Sequence, residues 1–244
     1  MSPAVFVHGN PETAAIWEPL LAELGRDDVR CVSPPGFGAP LPDGFGATMV
    51  EYREWLVGEL EAIGEPVDLV GHDWGGLHVL GVAITRPDLL RSWVSDAVGA
   101  LHPDYVWHDL AQIWQTPGAG EEAVARFFGS TAEETEALVR RGFPRPIAER
   151  VAAGHDEATG RAVLALYRSA AQPAMAELGR DLAAAARRPG LAVVAEEDVV
   201  VGREELRLEA AATAGARVAR LSGVGHWWML QDPKRGAEML TDFW

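Results

Sequence analysis

The chain has 244 residues, 48% of them hydrophobic, enough for one sizeable core and too few for several domains. Its 21 basic and 36 acidic residues leave a formal charge of −15, which repels nucleic acid phosphates and anionic lipid and removes both as expected partners. Its single cysteine, Cys31, cannot close an internal disulfide, and the N-terminus shows no basic stretch followed by an apolar one, so a cytoplasmic setting is expected. No apolar run approaches membrane-spanning length. The seven histidines are scattered without metal-ligand spacing, so neither metal nor cofactor is called for.

In chain order, short apolar runs alternate with helical patterns. AVFVH at 4–8 reads as a buried strand, and TAAIWEPLLAEL at 13–24 as a helix closed by Gly25. VRCVS at 29–33 is a strand stopped by Pro34, Pro35 and Gly36. An amphipathic helix follows at 48–64, then a strand, VDLVG, at 67–71 and a helix at 75–87 that closes at a proline. SWVSDA at 92–97, LAVVAEED at 191–198 and ARVARLS at 216–222 are further strands. Helices are expected near 203–214 and over 233–244. Such alternation predicts an α/β fold with a mainly parallel, doubly wound sheet.

Residues 101–172 break the rhythm. They are helical in pattern, rich in Trp, Ala and Glu, and punctuated by TPGAGEE and GFPRP. About seventy residues is too long for an ordinary crossover, so a helical lid is expected. The division is then 1–100 and 177–244 as core, with 101–176 as the lid.

Within GHDWG, Asp73 follows a strand with Gly71 two residues before it and Gly75 two after. A strained strand-to-helix elbow needs small residues there, and it exposes the central residue at the carboxyl end of the sheet. The first N–H groups of the following helix favour an anion at that point. An ordinary helix cap is the plainer use of such an aspartate. Two other stretches argue against it: HGNP at 8–11 directly after the first strand, and GVGHW at 223–227, which puts His226 in a loop after the last strand. AEED at 195–198 supplies a late carboxylate, Asp198. Taken in order, these motifs resemble the α/β-hydrolase superfamily, and within it the epoxide hydrolase and haloalkane dehalogenase branch, whose elbow nucleophile is aspartate. The resemblance runs from Ala4 to Trp244.

A carboxylate ionised at neutral pH can attack a saturated electrophilic carbon and leave an alkyl ester on Asp73. Water must then hydrolyse that ester, with His226 the expected base and Asp198 orienting its ring. The resemblance implies that the backbone N–H groups of Asn10 and Trp74 stabilise the oxyanion, and that the Asn10–Pro11 bond is cis. Asp96 is the alternative acid, because one dehalogenase subgroup carries its acid at the end of the strand after the nucleophile's helix.

An epoxide oxygen needs a proton or a strong hydrogen bond, supplied in this branch by lid tyrosines. Tyr167, in ALYRSA, matches the second of these. The first has no clear match: Leu110 or Trp107 falls there depending on the anchor, with Tyr105 close by. Asn10 and Trp74 match the pair that binds halide in dehalogenases. Tyr167 and the late Asp198 favour an epoxide hydrolase; haloalkane or haloacid dehalogenase is the alternative, and a non-catalytic small-molecule-binding protein on the same fold a further one. The expected partners are a small apolar electrophile and water. The resemblance also leads one to expect a β-hairpin before the strand at 4–8, for which this sequence has no residues. Residues 29–33 then lie at the sheet edge, where a homodimer or a covering segment is expected.

Overall fold

The structure, a computed structural model, describes residues 2–244. Six strands form one sheet: β1 (Ala4–Val7), β2 (Val29–Val32), β3 (Val67–Gly71), β4 (Leu90–Ser95), β5 (Gly190–Ala195) and β6 (Arg217–Leu221). Their order is β2-β1-β3-β4-β5-β6, and every neighbouring pair is parallel. Strands β1, β3 and β5 are buried along their whole length, as short continuous apolar runs covered on both faces should be. The chain runs outward from β1 to β2, then returns to lay β3 on the other side of β1. That reversal opens a crevice at the carboxyl ends of β1 and β3, the place where open parallel sheets accommodate ligands.

Helices α1 (Glu18–Leu24), α11 (Trp228–Gln231) and α12 (Pro233–Phe243) cover one face, burying Leu20, Trp228 and Leu240 with Phe6 and Val70 of the sheet. On the other face, α2 (Met49–Ile63), α3 (Trp74–Thr85) and α10 (Glu204–Thr213) bury Leu56, Leu80 and Ala210 with Val5 and Leu69. Helix α3 is buried almost all round, which its nearly uninterrupted apolar sequence permits. Gly25 ends α1 in the left-handed conformation, as its place in the sequence predicts; at α2, Thr48 forms a capping box with Glu51 and Gly64 is left-handed at the end. The alanine-rich stretch before β5 forms a 3-10 helix, Leu182–Arg187.

Between β4 and β5 lie α4 (Asp109–Gln115), α5 (Ala119–Phe127), α6 (Thr131–Arg140), α7 (Arg145–Ala153), α8 (Glu157–Ser169) and α9 (Ala174–Gly179). They do not pack as one block. Ala111 and Trp114 of α4 and Tyr167 of α8 join the core of α2 and α3, whereas Leu138 of α6 and Ile147 and Val151 of α7 join that of α1 and α11. The insertion thus straddles the crevice. β2 forms one edge of the sheet, with Arg30 and Cys31 exposed, and among the described residues no strand lies outside it. Among the described residues no helix is long and apolar enough to cross a membrane.

Candidate active site

Asp73 stands at the junction of β3 and α3 with φ +51° and ψ −122°, a conformation that L-residues rarely adopt. The glycines around it explain how the chain tolerates this. A Cβ at Gly71 would fall 2.4 Å from the Gly75 carbonyl oxygen, and one at Gly75 would fall 2.2 Å from that of Val7. A Cβ at Gly9 would lie 2.3 Å from Asp73 Oδ1. The glycine of HGNP therefore lets the turn after β1 close on the carboxylate, and there the Asn10 N–H donates to Oδ1 at 3.0 Å. The Trp74 N–H, the second expected donor, is at the first position of α3, where a helix's leading N–H groups have no partner within the helix. The Asn10–Pro11 bond is cis.

His226 faces the other carboxylate oxygen, with Nε2 3.7 Å from Asp73 Oδ2. Its Nδ1 lies 2.9 Å from Asp198 Oδ2, and Oδ1 of Asp198 accepts the Val200 N–H at 2.7 Å. All three side chains are buried. Burial pushes the Asp73 carboxyl up to about 6, against the opposing pull of His226. Burial would also raise Asp198, but the adjoining His226 ring outweighs it and holds that carboxyl down at about 2. Burial lowers His226, and Asp198 more than compensates, leaving its pKa above the ordinary imidazole value.

Asp96, the alternative acid, is occupied elsewhere. Its Oδ1 accepts the backbone N–H of Asp73 at 2.9 Å, and its Oδ2 binds His72 Nδ1 at 2.5 Å and Trp228 Nε1 at 2.8 Å. His72 Nε2 in turn faces Glu12 Oε1 at 3.4 Å. Glu12 takes the Gly9 N–H on one oxygen and Trp227 Nε1 on the other. Two buried carboxylates flanking one ring raise the His72 pKa well above the usual value despite burial, and Glu12 is held down at about 2 against its own desolvation. Glu12, His72 and His226 bring ligand atoms within 4.8 Å of one another, a spacing that could hold a metal. A protonated His72 has no lone pair to give, so the trio reads as a charge network. It ties the turn after β1, the elbow and the His226 loop together.

A cavity of about 150 Å³ opens above Asp73 and His226, lined also by Asn10, His108, Trp114 and Tyr167. Tyr167 lies close to the side chains of Asn10 and Trp74, and both amide atoms of Asn10 are buried without a partner. Two expected leaving-group residues are turned away from the cavity. The Tyr105 hydroxyl donates to the Val200 carbonyl at 3.3 Å, and Trp107 Nε1 donates to that of Ala170 at 3.2 Å. Trp107 instead stacks on Trp74, ring centroids 5.5 Å apart. His108, which the sequence did not single out, takes their place: its Nδ1 accepts the Ala111 N–H as the cap of α4, fixing the remaining proton on Nε2. Glu12 and His72 were missed too, because the side chains they meet (each other, Asp96 and Trp227) lie 24 to 215 residues away in the chain. Only the alternation of side chains along β3, which turns His72 to the opposite side from Asp73, hints at a separate role.

A sequence model of the alpha/beta hydrolase family matches residues 4–239. Haloalkane dehalogenase 2 of Mycobacterium tuberculosis is 32% identical over 208 residues, 80% of this chain and 65% of that protein, so the match spans less than two thirds of that relative's length. Epoxide hydrolase 2 of Siraitia grosvenorii is 35% identical over 117 residues, 44% of this chain and 36% of its own. The crystal structure of E-2-(acetamidomethylene)succinate hydrolase superposes with a TM-score of 0.74 at 18% identity, covering 99% of this chain and 91% of that one, a likeness of fold.

Proposed function

This chain belongs to the alpha/beta hydrolase family, and from that premise we propose that it opens epoxides to vicinal diols through an alkyl ester on Asp73. One Asp73 oxygen attacks an epoxide carbon. The carbon–oxygen bond breaks, its electron pair stays on oxygen, and Tyr167 donates the proton that makes the first hydroxyl. His226, oriented by Asp198, then takes a proton from water, and the hydroxide attacks the Asp73 carboxyl carbon. The Asn10 and Trp74 N–H groups receive the oxyanion; as the ester bond breaks, the departing alkoxide takes the proton of the new carboxyl group, the proton on His226 returns through solvent to Tyr167, and the diol leaves. In this reading residues 101–176 are a lid that keeps water away from the ester until His226 activates one.

The observation that carries the reading is the placement of Asp73: a strained elbow carboxylate with one oxygen on the Asn10 N–H and the other facing a histidine backed by Asp198. Serine chemistry has no residue here to perform it. For the leaving group, Tyr167 on the cavity beside Asn10 and Trp74 favours an epoxide: burial and the Asp73 carboxylate raise its pKa well above the usual phenol value, so it keeps a proton to donate, and its Trp74 and Asn10 neighbours offset part of that rise. A specific observation also supports carbon–halogen cleavage: the buried, unpartnered Asn10 amide could hold a halide. Incubating His226→Gln with styrene oxide or 1-bromobutane and weighing the Asp73 peptide tests the nucleophile. An adduct is expected, and none with either compound would favour a non-catalytic binding protein. Diol or bromide release by the native enzyme then separates the two leaving groups. Substrate and water are the partners this mechanism needs; a second copy pairing along the β2 edge would appear as a dimer in sedimentation.

A further inference from the structure

We propose that the substrate carries a carboxylate, which Arg141 binds at the mouth of the cavity above Asp73. The inference rests on Asp73 as nucleophile and adds the substrate's chemical class. Among the described residues lining that cavity, Arg141 is the only lysine or arginine. Leu110, Phe127 and Arg141 line both this cavity and a surface cleft of about 950 Å³ between α4, α5 and α6, which marks them as the passage between the two. Of the chain's guanidinium groups, those of Arg86, Arg145, Arg150 and Arg168 each grip a carboxylate at 2.6–2.9 Å. Arg141 grips none among the described residues. Of the acids on its own helix and on the cleft, Glu134 is bound by His155 and Glu136 by Arg145, while Glu122 and Glu133 line the cleft with it.

The guanidinium is nonetheless held in place. It lies over the Phe127 ring, 4.9 Å from the centroid, a cation–π contact. A planar fork of donors matches a carboxylate bidentately. The electrostatics agree. The Asp73 carboxylate and the chain charge of −15 repel an anion, so a carboxylate substrate can bind here only with Arg141 offsetting that repulsion at the entrance. Leu110, Trp114, Phe127 and Val200 make much of the rest of the lining apolar, so an apolar spacer suits it. A cavity of about 150 Å³ is well below the roughly 300 Å³ at which pockets for drug-sized ligands begin, which also argues for a small acid.

The test compares near-isosteric pairs that differ in charge: glycidate with glycidamide, and 3-bromopropionate with 3-bromopropionamide. The native enzyme is expected to prefer the carboxylate by about tenfold or more in kcat/KM. In Arg141→Gln that ratio should fall toward one, chiefly through KM, and Arg141→Lys should restore part of it. Thermal unfolding of each variant checks that the fold is intact. A native ratio at or below one, or a ratio unchanged in Arg141→Gln, overturns the inference. Amides that alkylate Asp73 in His226→Gln without any preference for the acids would overturn it alone and leave the nucleophile standing. Absence of adduct from all four compounds would overturn both.

Discussion

Asp73 is costly as well as central. Its folded pKa of about 6 exceeds the unfolded value of about 3.8, so the folded state takes up a proton between those values. Stability from this residue is therefore present at low pH and is lost as pH rises through about 6, a penalty on the order of 3 kcal/mol above it. Asp73→Asn is expected to abolish ester formation and yet to unfold at a higher temperature than the native protein at pH 8. The difference should vanish below about pH 4, as calorimetry at the two pH values would reveal. The same shift sets the chemistry. Attack needs the ionised carboxylate, so the single-turnover rate of ester formation should rise through about pH 6 and then level off. A flat profile down to pH 4 would contradict this. At this scale the sequence exposed Asp73, His226 and Asp198 through their neighbours. It could not show that Tyr105 and Trp107 spend their donors on the carbonyls of Val200 and Ala170, because those contacts join segments 95 and 63 residues apart.

Among elements, the elbow and the charge network make opposite demands on substitution. Gly71 and Gly75 have backbone carbonyls where a methyl group would go, whereas Gly58, on the exposed side of α2, has open space. Gly75→Ala is expected to lose more than about 3 kcal/mol, or to fail to fold, through overpacking against main chain that cannot yield. Gly58→Ala should instead gain about 0.5–1 kcal/mol from the lower entropy of the unfolded chain. Denaturant titration of both variants checks the contrast. The Glu12–His72–Asp96 network holds three loops from three strands. Glu12→Gln leaves the His72–Asp96 pair intact but sets an amide NH2 against the N–H groups that Glu12 accepts and removes the carboxylate facing His72, so it should cost about 1–3 kcal/mol and lower kcat more than it changes KM. An unaltered unfolding midpoint would refute that. The helices of the insertion were legible in number and type only loosely. That they divide between the cores of the two sheet faces, leaving the cleft of Arg141 between α5 and α6, was not legible, because helical periodicity marks an apolar face without naming its partner.

For the molecule as a whole, the buried carboxylates set a pH window. Glu12 and Asp198 are each held at about 2, below their ordinary values near 4. Their stabilisation is complete above those ordinary values and is lost as pH falls toward 2, while Asp73 acts in the opposite sense up to about 6. Unfolding temperature is thus expected to peak between about pH 4 and 6 and to fall steeply below 4; a maximum at pH 8 would refute it. The sequence by itself determined the strand and helix alternation, the cap of α1 at Gly25, the elbow, and the chain order of Asp73, Asp198 and His226. Each of these is written in residues adjacent along the chain, where periodicity, glycine spacing and caps act. The tertiary structure decided which acid holds His226, Asp198 over Asp96, and that His72 is clamped between two carboxylates. It also decided that His108, and neither Tyr105 nor Trp107, reaches the cavity, and that Arg141 stands unpaired at its mouth. Those outcomes depend on distances between side chains that meet only when the sheet reverses at β1 and β3 and the insertion folds over it, and no local pattern encodes such distances.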